Sequence, residues 1–186
     1  MKPKNICSIG LLFFVMSYVL FSQGALNLQK PIDFAHWLNL IGAVLLFSFN
    51  FVFPKNTLNT LASFITALGV IAHIGLCTID IIFWSFGNNE IQSEALREHL
   101  SNTPSILYPF VIVGPSLLFV GLSIHALNFI KTEPIKVIMV LIGSIVIGLS
   151  FFLFKNGIFM LLGCILFALG LVLLVYRNEK INEQKI

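Results

Sequence analysis

The stretch Thr60 to Phe86, TLASFITALGVIAHIGLCTIDIIFWSF, constrains the fold more than any other part of the chain. Its twenty-seven residues include only two ionisable side chains, His73 and Asp80. A helix this long and this apolar is enough to cross a hydrocarbon layer of ~30 Å with some tilt. His73 and Asp80 are seven positions apart, so two helical turns return them to nearly one bearing. The same face collects Thr66, Gly69, Cys77 and Trp84. An ionisable group at the centre of a membrane helix costs roughly 2.5–3.5 kcal/mol on insertion scales, which turns such a stripe toward protein or water. The helix is therefore expected at the middle of a bundle, with neighbours packed on its stripe.

The other apolar runs repeat the pattern. Hydrophobic residues make up 58% of the chain and charged ones 10%, against about 25% charged in ordinary globular proteins. The expected fold is all-α: one polytopic membrane domain over 1–186, a bundle of six transmembrane helices near 6–22, 36–53, 60–86, 106–130, 137–154 and 158–176. A polar cytoplasmic tail, 177–186, follows. The first run begins after Lys2 and Lys4 and is read as a retained helix. If it were a signal peptide cut near Ser22-Gln23-Gly24, five helices would remain. Gln23 to Ala35 reads as a loop, with Leu26, Leu28, Ile32 and Phe34 at the interface. Gly87 to Pro104 is the one long polar segment, either a plain loop or a short surface helix capped by Ser93. Pro109 and Pro115 fall inside the fourth run, where a missing backbone donor kinks a helix. On that run Gly114 and Gly121 share a face and leave room for a polar neighbour or a small cavity.

Loop charge sets the expected orientation. With both ends on one side, that side holds Lys2, Lys4, Lys55, Lys131, Lys136, Arg177, Lys180 and Lys185, and the other holds Lys30, Arg97 and Lys155. Short loops rich in Lys and Arg stay cytoplasmic, so both termini are expected inside, with Asp33, Glu90, Glu94 and Glu98 outside. The compact, loop-poor chain suggests a plasma membrane of the bacterial inner-membrane type. The formal charge of +3 is scattered over loops, which excludes a nucleic-acid patch. Cys7, Cys77 and Cys164 lie inside predicted spans and read as small packing residues.

Helical rise orders the polar residues by depth. An outer grouping forms from His36, Asn39, Asp80 and Trp84 with His73 at its base; an inner one forms from Asn50, His125 and Asn128. His73 and Asp80 read as a buried pair, a relay or the lining of a cavity, and His125 as a side chain near enough to the interface to reach headgroups. His36 and His99 belong at the water boundary, and Trp37, Trp84 and Tyr176 at span ends as interface anchors. A haem needs two histidines at one depth, and His73 and His125 differ by about 13 Å in straight helices. No HExxH, no Walker loop, no EF-hand and no G-x-S-x-G elbow is present. No cofactor and no metal is assigned. The function expected is that of a multi-pass membrane protein binding or translocating a small molecule or protons through an outward-facing polar cavity around His73 and Asp80. The alternatives are a structural or partner-associating subunit without chemistry of its own, and an intramembrane metal-dependent enzyme. The partners expected are the lipid bilayer and either a second copy or another membrane protein.

Overall fold

A computed structural model describes residues 2–23 and 32–177. Gly24 of the candidate cleavage site, Leu26, Leu28, Lys30 and Pro31 of the first loop, and the tail beyond Arg177 lie outside the described residues. The described chain is all-helical, with six helices long and apolar enough to cross a membrane. They are α1 (Pro3–Ser22), α2 (Phe34–Phe51), α3 (Thr57–Ser85), α5 (Pro104–Leu127), α6 (Pro134–Phe154) and α7 (Gly157–Val175). Between α3 and α5 lies α4 (Glu90–Ser101).

The helix starts follow local chemistry. Proline opens α1, α5 and α6, where its fixed φ suits a first turn and its missing N–H costs nothing. Asp33 caps α2 by accepting from the His36 N–H at 3.2 Å. Asn56 caps α3, accepting from Asn59 at 2.8 Å, and Asn156 caps α7. Asp33 is thus a buried cap, 1% exposed, and not a loop residue facing water. Asn89 caps α4 in place of Ser93, which lies inside the helix. The polar segment is a helix because this cap satisfies an N-terminal donor and Glu90 complements the positive end of the helix dipole.

The spans pack as a ring in chain order, α1 on α2, α2 on α3, α3 on α5, α5 on α6 and α6 on α7, with α7 closing against α1. Glycines let three of these seams approach backbone to backbone. A Cβ on Gly42 would come 2.9 Å from the Phe14 nitrogen in α1, one on Gly121 2.6 Å from the Thr66 nitrogen in α3, and one on Gly143 2.5 Å from the Phe167 nitrogen in α7. At the centre, Phe119 sits 5.8 Å from Phe14 and 5.4 Å from Phe167, ring centroid to centroid. The outward faces stay apolar: Phe64 is 63% exposed, Ile71 57% and Leu162 56%. So much contiguous exposed hydrocarbon is untenable in water and compatible with a bilayer.

Two spans depart from regular helix on the same side of the bundle. In α5, Leu107–Ile112 is π-helical and the Val113 N–H reaches back to the Tyr108 carbonyl at 2.9 Å. Pro109 and Pro115 donate nothing to the ladder, and the Gly114 backbone passes so close to the Pro109 carbonyl that any side chain there would collide with it. In α6, Ser150–Phe154 is π-helical and ends at Lys155, left-handed at φ 46°.

Candidate binding site

Where α2 begins and α3 ends, the ring encloses a cavity of about 420 Å³. Four of the five residues in the predicted outer grouping line it: His36, Asn39, His73 and Asp80. Trp84 does not; it is half-buried in the last turn of α3, outside the cavity wall. The remaining walls are mostly apolar and aromatic, including Tyr18 and Phe21 of α1, Phe119 of α5, Ile147, Phe151 and Phe152 of α6, and Met160 of α7. A second space of about 570 Å³ adjoins it, sharing Phe21, Ile112, Phe151, Phe152 and Met160, and ends at Lys155, Asn156 and Gly157. Both π-helical stretches border this mouth.

The polar wall is built on α2 and α3. His36 sits one turn into α2, with its Nδ1 2.5 Å from Asp33 Oδ2 and its ring 4.8 Å from that of Phe21. Its Nε2 faces Asp80 Oδ2 at 3.6 Å, too far for a good hydrogen bond but close enough for an ion-pair contact. One imidazole therefore lies between two carboxylates from different helices. Asp33 is buried and fixes the ring; Asp80, 35% exposed at its side chain, lines the cavity. Asn39 ties three helices together, donating to Ser17 Oγ at 3.0 Å and accepting from Cys77 Sγ at 3.3 Å. Ser17 passes its own hydrogen to the Phe14 carbonyl at 2.6 Å.

His73 lies deeper and is 2% exposed. It makes no pair with Asp80; its ring sits 5.7 Å from that of Phe14 and 6.0 Å from that of Phe119. Its Nδ1 is sealed from water and makes no well-formed hydrogen bond; the polar neighbour of the ring is the Gly69 backbone one turn back. The room expected at Gly114 and Gly121 is not there. The Thr66 backbone fills the space before Gly121, and the Pro109 carbonyl that before Gly114. The open space lies instead at Gly148 of α6, where an added Cβ would meet nothing within 4 Å.

The inner grouping also assembles, as a closed network away from the cavity. His125 is 0% exposed, not directed at headgroups. Its Nδ1 lies 2.5 Å from Asn59 Oδ1 and its Nε2 2.9 Å from Asn50 Oδ1. Asn128 donates to Asn59 at 3.3 Å and accepts from Asn56 at 2.7 Å. Both ring nitrogens of His125 lie against an asparagine amide, so the cluster reads as a clasp joining α2, α3 and α5.

Asp33 and Tyr18 are the site residues that the sequence reading missed. For Asp33 the signal was present: an Asp three positions before a His at the start of an apolar run is a cap signature. For Tyr18 the span itself holds no ionisable partner near it, only the neighbouring Ser17. Among the described residues, no group of three His, Cys, Asp or Glu side chains is arranged to hold a metal ion. In the Asp33–His36–Asp80 trio the two carboxylates take opposite edges of one ring, so they do not converge. The arrangement has no activated nucleophile; it can hold a proton between carboxylates and can meet a ligand with a charge or a hydrogen bond. The chain matches no protein-family model, no curated protein and no solved structure.

Proposed function

We propose that the chain is an integral membrane protein of the plasma membrane, bacterial inner-membrane in type, crossing six times with both ends cytoplasmic. We further propose that it binds a small molecule from the outer side in the cavity walled by α2, α3 and α6. One observation carries this reading: the part-exposed carboxylate of Asp80 and the His36 imidazole that it faces line a single cavity whose other walls are largely aromatic. Polar groups of this kind are expensive at membrane depth and are retained there for pathways and ligands. Wholly structural polar residues look like the His125 cluster, a closed network with both ring nitrogens against asparagine amides. The trio at the rim also supplies a place to hold a proton, so binding linked to proton movement belongs to the same reading.

Cysteine accessibility tests it. In a Cys77→Ser background, which removes the one native thiol on the cavity wall, Asp80→Cys should react with an external membrane-impermeant thiol reagent. Leu68→Cys, on the outward face of α3 at 40% exposure, should not. Adding Gly148→Leu should slow the Asp80→Cys reaction by filling the space between. An unreactive Asp80→Cys, or one reached only from the cytoplasmic side, would overturn the reading.

A further inference from the structure

We infer that the ligand of this cavity is a small organic cation with an apolar body; the inference rests on the binding role proposed above. Two features of the wall select that class. First, charge: Asp33 and Asp80 face one imidazole, so with both carboxylates ionised the trio stays negative even when His36 is protonated. Among the described residues, no lysine or arginine lines this cavity, and Lys155 stands only at the end of the adjoining space. Second, shape: Tyr18, Phe21, Phe119, Phe151 and Phe152 surround the space. Aromatic faces attract cations through their quadrupole, the more so in a site shielded from water, and they equally accept an apolar body. An anion would meet the same faces and carboxylates as repulsion. The acidic trio alone would be ordinary helix-end chemistry. Joined to a cavity of about 420 Å³, it describes a site with one charged contact and an aromatic wall.

The experiment compares probes of one shape and different charge on the full-length protein in nanodiscs of zwitterionic lipid, with empty discs subtracted. Radiolabelled benzyltrimethylammonium, its uncharged carbon isostere neopentylbenzene, and phenylacetate are each followed by equilibrium dialysis. The expected result is at least tenfold tighter retention of the cation than of the isostere, with no specific retention of the anion. Asp80→Asn should remove that preference by weakening the cation at least tenfold and leaving the isostere unchanged, while Asp80→Glu should keep part of it. Thermal unfolding of each variant separates a lost contact from a lost fold, and Asp80→Glu carries the test should Asp80→Asn fail to fold. Gly148→Leu should exclude cation and isostere alike. Equal retention of cation and isostere, or a preference that survives Asp80→Asn, overturns the cation class; if Gly148→Leu still excludes both, the cavity reading stands. Absence of any specific retention, or retention indifferent to Gly148→Leu, overturns the binding role itself.

Discussion

Replacing Gly69 and Gly148 by alanine, one at a time, should move stability in opposite directions. Gly69 lies on the seam between α3 and α5. There a new Cβ would stand 2.5 Å from Leu118 Cα and closer still to the Leu118 nitrogen. Both are backbone atoms and cannot swing away, so the two helices must part by roughly an ångström to restore ordinary van der Waals separation. Thr66 and Gly121 make the same close contact one turn along, so parting at one point opens both. Overpacking of this kind costs about 1–3 kcal/mol, and the better helix propensity of alanine returns at most about 1 kcal/mol. At Gly148 the added methyl meets nothing within 4 Å, so only the propensity gain remains. Reversible unfolding in mixed micelles should therefore find Gly69→Ala less stable than wild type and Gly148→Ala equal to it or up to about 1 kcal/mol more stable. A Gly69→Ala protein as stable as Gly148→Ala would refute the close seam. Since α3 carries both His73 and Asp80, it would also undermine the placement of the cavity.

The other substitutions probe the cap, the clasp and the topology. Asp33→Asn should leave unfolding near wild type, because asparagine caps as well as aspartate, whereas Asp33→Ala should lose about 1 kcal/mol; equal losses would mean that the cap contributes nothing to α2. His125→Leu removes the imidazole from Asn50 and from Asn59, which keeps only Asn128, and should cost about 1–3 kcal/mol, and a double-mutant cycle with Asn59→Leu should show coupling; strict additivity would disprove the network. Reporter fusions after Lys55 and Asn102 should read cytoplasmic and external respectively, and a cytoplasmic signal at Asn102 would invert the orientation on which external access to the cavity depends.

Six apolar helices could be read from the sequence because each depends on composition within its own span, and a run too apolar for loops must satisfy its backbone internally. The inward face of α3 was legible for the same reason. Helical period puts Thr66, Gly69, His73 and Cys77 on one side, and all four are buried. The cap chemistry at Asp33 and Asn56 is local as well and needed only a closer reading. What the chain alone could not determine is which faces meet. His73 and Asp80 share a face but make no pair, because His36 of another helix takes the carboxylate and the Phe14 and Phe119 rings take the imidazole. His125 stands near the end of α5 on any count, yet it is enclosed because Asn59 and Asn50 arrive from two other helices. The glycines make the division clearest. A missing side chain offers room in every case, but Gly121 is filled by the backbone of α3 and Gly148 is left open. That outcome depends on how close each pair of helices comes, and only the packed ring decides it.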